Sequence, residues 1–329
     1  MHIPDGFVNI PLSAAAYAAS GGLTAAALRH AGRDLGEKQV PFLGVTAAFV
    51  FAAQMLNFPV AGGTSGHFLG AMLAAVLLGP LNAFLVLAVV LTIQCLGFAD
   101  GGLTALGVNI FNMGFIGGVV SYGFFAALRA VLPKTRGAFL AAVGVAAWLS
   151  VTLAAAACAV ELAASGTVPL RLALPAMAGV HAIIGVGEAL ITVAVVSMVL
   201  QSRPDLVASW RQAAGAPARR AGWAWVMAGG VALSLGLAVF ASPFASAFPD
   251  GLEKVAETLG FLDKAADTGV WKFSPIPDYA IPGMSDEQTA TALAGLAGTL
   301  VVLAAGWGVV RLMRTRGTRK NGSAGEASS

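Results

Sequence analysis

The chain has 329 residues, of which 57% are hydrophobic and only 11% charged, with a mean hydropathy of +0.81. A soluble domain carries about 25% charged residues, so a water-soluble enzyme and an intrinsically disordered chain are both excluded, and an integral membrane protein remains. The formal net charge of +3 comes from short basic clusters between apolar runs, with no aromatic-basic face, which excludes a nucleic-acid binder.

Nine apolar segments follow in chain order, at residues 7–29, 41–57, 67–79, 81–97, 105–131, 138–163, 173–200, 222–242 and 291–313. Backbone amides in lipid must bond within their own segment, and none of the nine shows the two-residue alternation of a barrel strand, so all are predicted helical. The expected fold is an all-α polytopic membrane protein: a seven-segment helical bundle followed by two additional C-terminal transmembrane helices. The third segment is too short for a bilayer core of about 30 Å. Gly79-Pro80 separates it from the fourth, so the two read as a bent pair or a partial span. Gln54 and Asn57 end the second segment, and Asn109, Asn112 and Met113 lie in the fifth; in lipid these amides must face inward. Cys95 and Cys158 sit in apolar runs without CxxC spacing, so no disulfide or thiolate metal site is expected. Gly114-Phe115-Ile116-Gly117-Gly118 reads as a close-packing surface, and no Walker motif is present.

Four regions are expected: a bundle at 1–201, a cytoplasmic linker at 202–221, a second unit at 222–313 and a disordered cytoplasmic tail at 314–329. The second unit has two spans joined by a loop, residues 243–290, with eight acids and three lysines, net −5. Placing the N-terminus outside puts 15 of the 19 Lys and Arg residues on the inner side and leaves Arg171, Lys254, Lys264 and Lys272 outside. That asymmetry favours an odd number of crossings, with the C-terminus in the cytoplasm.

The opening Met1-His2-Ile3-Pro4-Asp5-Gly6 lacks the basic lead-in of a secretory leader, so Met1 is expected to be the mature start. A free Met1 amine, the backbone nitrogen of His2 and the His2 Nδ1 can close a five- and a six-membered ring on one metal ion. Such fused rings put three nitrogens in a plane and leave a fourth position open, a geometry that favours Ni(II) or Cu(II) over tetrahedral Zn(II). A histidine at position two also reads simply as a polar residue on a frayed end.

Four histidines are available, and His30 falls in a basic inner loop. His67 follows Gly62-Gly63-Thr64-Ser65-Gly66 in a flexible outer segment that opens a short helix, on the same side as His2. His181 and Glu188 share a face of the seventh segment, where ionisable groups are either functional or paired across the bundle. Asn57, Ser65, Asn109, Asn112, His181 and Glu188 are candidate residues around the metal donors. Two other classes compete. Gly63-Thr64-Ser65-Gly66 matches the GxSG form of rhomboid-type intramembrane serine proteases, with Ser65 as nucleophile and His181 as base. A passive channel would need no partner. A zinc metalloprotease lacks its HExxH.

Met1 to Phe7, Asn57-Phe58-Pro59-Val60 with Gly62 to His67, Asn109 to Gly114 and His181 to Ala189 together resemble the substrate-binding membrane component of nickel/cobalt energy-coupling-factor ABC importers. Ser242-Pro243-Phe244 and Phe248-Pro249-Asp250-Gly251-Leu252-Glu253 resemble the PDGLE element of that component's small companion subunit, so the chain looks like a natural fusion of the two. The resemblance implies metal ligation by the Met1 amine, the backbone nitrogen and imidazole of His2, and His67. It implies a transport component that is not itself an enzyme and needs no cofactor, with Ni(II) or Co(II) as cargo. It further implies a transmembrane coupling component and cytoplasmic ATPase components as partners, in a bacterial or archaeal cell membrane. The Pro-Asp-Gly start and the fused companion incline the reading toward nickel, with cobalt as the alternative.

Overall fold

Helices form where the apolar runs were expected, and their ends follow from local chemistry. The structure is a computed structural model that describes residues 1–36, 39–214, 222–266 and 269–326; the side chains of residues 34, 212–214 and 313–326 are outside that description. Helix α1 (Ile10–Asp34) starts where the Asn9 side chain accepts from the Leu12 amide, with proline in the first turn. Helix α2 (Gln39–Gln54) is buried along most of its length. Strands β1 (Asn57–Val60) and β2 (Thr64–His67) then pair antiparallel, with Asn57 opposite His67. Helices α3 (Ala71–Leu78) and α4 (Pro80–Phe98) are split at Gly79, whose φ of 88° only glycine adopts freely. One rod, Leu106–Val131, contains α5 (Leu106–Asn109), a π-helical stretch (Ile110–Val120) and α6 (Ser121–Val131). Helices α7 (Arg136–Ala164) and α8 (Leu170–Ser202) pack against each other along their length. The chain continues through α9 (Ala208–Ala214), α10 (Trp223–Gly236), α11 (Gly251–Leu259) and α12 (Glu287–Glu326).

Among the described residues six helices are long and apolar enough to cross a membrane: Pro80–Phe98, Leu106–Val131, Arg136–Ala164, Leu170–Ser202, Trp223–Phe244 and Glu287–Leu312. The all-α polytopic class therefore stands. The seven-plus-two count changes in detail, because α2 has 16 residues, α3 only 8, and α1 is diluted by Ala, Gly and Ser. Helices α10 and α12 of the second unit lie against α2, and α12 also touches α1. Gly298 faces Phe51, and Gly44 faces the backbone at Leu303 and Trp307, so the two units are packed together.

One expectation is corrected. The outer segment before His67 is a hairpin, and His67 ends a strand instead of opening a helix; Gly62 and Gly63, at φ of 76° and 69°, make the turn. The second unit ties to this hairpin, since Ser65 N–H donates to Pro249 O and Ser246 N–H to Asn57 O, at 2.8 and 2.7 Å. The linker expected at 202–221 is packed in its first half: Arg203 and Asp205 form a buried ion pair at 2.8 Å, and Ser209 Oγ donates to Val76 O in α3. Its remainder, residues 215–221, lies outside the described residues. Helix α12 runs to Glu326; residues 327–329 lie outside the described residues.

Candidate metal centre

The first residues are seated in the protein rather than frayed. Asn109 grips Ile3 from both sides: Oδ1 accepts from the Ile3 N–H at 2.9 Å and Nδ2 donates to Ile3 O at 3.1 Å. Gly102 N–H adds a bond to Ile3 O at 2.9 Å. Asp5 accepts from the Thr104 N–H and hydroxyl at 2.7 and 2.6 Å, and from the Val270 N–H at 2.8 Å. Met1 and Ile3 are buried as a result. Gly102 permits this approach, since a Cβ there would stand 2.2 Å from the Asp5 nitrogen.

This seat carries the terminal amine to His67 Nε2. The His2 and His67 rings stack beside it, with centroids 5.1 Å apart and planes 24° from parallel. His67 has one nitrogen committed to an oxygen that can only accept, whereas both nitrogens of His2 face such oxygens. His67 Nδ1–H donates to Phe68 O at 3.1 Å, which leaves the Nε2 lone pair toward the amine. His2 Nε2–H donates to the Gln94 amide oxygen at 3.1 Å, which leaves Nδ1 as the ring nitrogen open to a metal. Asp100 Oδ1 lies 3.2 Å from that Nδ1, and Tyr279 of the second unit donates its hydroxyl to Asp100 at 2.7 Å.

Asp250 completes the group, with Oδ2 2.8 Å from the Met1 nitrogen. Burial alone would raise the Asp250 carboxyl, but the ammonium and His67 outweigh it and hold it well below the usual carboxylate range. Burial lowers both imidazoles from their ordinary value; the ammonium reinforces this at His67, and Asp100 partly opposes it at His2. Two neutral imidazoles, an ammonium and an ionised carboxylate therefore face one another. They open onto a cavity of about 560 Å³ between the two units, lined by Asp5, Asp100, Asp250, Glu253 and Asp278 and, among the described residues, by no lysine or arginine. Among the described residues no three His, Cys, Asp or Glu side chains cluster to hold a metal.

The other sequence-predicted residues serve around this centre or away from it. Asn57 lines the cavity. Glu188 accepts from the Leu69 and Gly70 N–H groups at 2.6 and 2.9 Å, which fixes the turn just after His67. Ser65 Oγ donates to Phe248 O at 2.7 Å, holding the segment before Asp250. His181 Nδ1–H donates to Met177 O at 2.8 Å in its own helix. The Asn112 amide donates to Glu161 in α7 at 2.5 Å. Ser65 and His181 spend their protons on separate carbonyls, so no nucleophile–base pair forms. Gln94, Asp100, Asp250 and Tyr279 were not predicted as site residues. A buried amide in an apolar run marked Gln94, and the Asp-x-x-Glu capping box of Asp250 and Glu253 was readable as a helix start.

Residues 2–206 match the family model described as the cobalt uptake substrate-specific transmembrane region, and residues 224–315 match the PDGLE domain. A chain of Archaeoglobus fulgidus, provisionally named a fused nickel transport protein NikMN, is 38% identical over 318 residues, covering 96% of this chain and 100% of the other. The fused nickel transport protein NikMN of Rhodobacter capsulatus is 32% identical over 92% of this chain and 95% of its own. The cobalt transport protein CbiM of Sorangium cellulosum is 36% identical over 51% of this chain and 76% of its own. A crystal structure of a truncated transition metal transporter superposes with a TM-score of 0.55 at 34% identity, covering 61% of this chain and 99% of that one. The chain belongs to the family of the cobalt uptake substrate-specific transmembrane region, with a PDGLE domain fused behind it.

Proposed function

We propose that the chain is the substrate-binding component of an ATP-driven importer of the energy-coupling-factor type, which captures Ni(II) at the outer face and delivers it across the membrane. It is a component of nickel and cobalt transport and not an enzyme, in keeping with the relatives named above. The observation that carries the reading is the meeting of the Met1 amine with His67 Nε2, beside the stacked ring of His2. Met1 N, the His2 backbone nitrogen, His2 Nδ1 and His67 Nε2 form the square. The hydrogen bonds to Gln94 and Phe68 leave free the ring nitrogen that each corner requires. A d⁸ ion repays deprotonation of the amide through strong in-plane bonds, whereas Zn(II) has no such preference. ATP hydrolysis falls to cytoplasmic ATPase components acting through a transmembrane coupling component, in a bacterial or archaeal cell membrane.

Cobalt is the second reading, favoured by the description of the matching family and by a donor set that suits Co(II) in the same plane. Visible absorption of the purified chain loaded with Ni(II) at neutral pH tests the chelate. A yellow, diamagnetic planar spectrum is expected, and a paramagnetic six-coordinate one would remove the amide from the ligand set. Metal analysis after growth with both ions present decides between nickel and cobalt.

A further inference from the structure

The charged group nearest the terminal amine comes from the other unit of the chain. Asp250 Oδ2 lies 2.8 Å from the Met1 nitrogen, with the side chains only 6% and 15% exposed. Its second oxygen is committed elsewhere: Oδ1 accepts from the Leu252 and Glu253 amides at 2.7 and 2.9 Å, at the start of α11. Glu253 closes the capping box by accepting from the Asp250 N–H at 2.9 Å. The residues just before Asp250 are bound to β2, where the Ser65 N–H and hydroxyl hold Pro249 O and Phe248 O. One strand thus fixes both His67 and the carboxylate that faces the amine.

We infer that Asp250 is a positioning residue of the metal site, supplied by the PDGLE unit, which orients the terminal amine through a charge-assisted hydrogen bond. The inference rests on the chelate proposed above. The amine meets a carboxylate whose other oxygen is fixed by two helix amides, so its position is set by the start of α11. The bound amine keeps two N–H groups, so one can still donate to Oδ2 while the lone pair faces the metal.

The test titrates Ni(II) into the full-length, detergent-solubilised chain as wild type, D250N and D250A. It records affinity, the visible spectrum at saturation and the melting temperature of the metal-free protein. Asparagine still caps α11 and still accepts a hydrogen bond, but carries no charge. D250N is expected to keep the planar band and the wild-type melting temperature while binding about 10–100-fold more weakly; D250A is expected to bind more weakly still. Wild-type affinity in D250N overturns the inference and leaves the chelate standing. A loss of affinity that tracks a fall in melting temperature overturns it too, since the role would then be structural. A wild-type chain without the planar band overturns the chelate and this inference together.

Discussion

At the scale of single residues, the placement of one proton on each imidazole decides what the centre can bind. Gln94 puts that proton on His2 Nε2, and truncating it to alanine frees the ring to take the other tautomer. We expect Gln94→Ala to weaken Ni(II) binding about 10–100-fold in calorimetry, against a larger loss for His67→Ala, which removes a donor outright. One residue added before Met1 displaces the amine from the five-membered ring, so an N-terminal extension should abolish metal binding while a C-terminal one is tolerated. Acidity acts in a fixed direction. Burial keeps both imidazoles below their ordinary pKa, which leaves their ring nitrogens to the metal at pH 7. Loading that releases protons is weakened by acid, measurable as an apparent Kd that rises between pH 8 and pH 7. His2 and His67 were legible because their chemistry is local to a motif. Asp100 and Tyr279 were not, because their value lies in a contact between residues 179 positions apart.

At the scale of elements, the helices were readable and the turns that place the site were only partly so. The break at Gly79-Pro80 follows from two residues whose backbone limits are strict. The hairpin β1–β2 was missed because four-residue strands with prolines and glycines give no usable alternation, and because tertiary bonds from Ser246 and Pro249 complete it. The site depends on two close approaches that no side chain could replace. At Gly102 a Cβ would lie 2.2 Å from the Asp5 nitrogen, and at Gly251 it would lie 2.7 Å from His181 Cε1. We expect Gly102→Ala to lift the N-terminal segment from its seat, destabilising the protein by about 1–3 kcal/mol and weakening nickel binding with it. Gly251→Ala should push α11 away from α8, with the same signature at the Asp250 end of the site. Thermal unfolding in detergent alongside nickel titration checks both, and unchanged binding in Gly102→Ala would mean that the seat tolerates movement.

At the scale of the whole molecule, charge sets direction. Asp250, Glu253 and Asp278, from the loop whose sequence carries net −5, line the acidic cavity. A cation arriving at the cavity is drawn toward carboxylates before it meets nitrogen donors, and the field of that lining raises its local concentration. This reading requires the cavity to face outward and the Arg136 end of α7 to face the cytoplasm. Both native cysteines are buried, Cys95 at 2% and Cys158 at 0% exposure, so introduced cysteines can be read against a low background. Ser285 is exposed in the loop before α12, and Gly137 is exposed at the start of α7, where an added Cβ meets open space. A membrane-impermeant maleimide should label Ser285→Cys in intact cells and Gly137→Cys only after the membrane is opened. The reverse pattern would place the cavity inside, and the metal would then be loaded from the cytoplasm, which an importer's binding component cannot do.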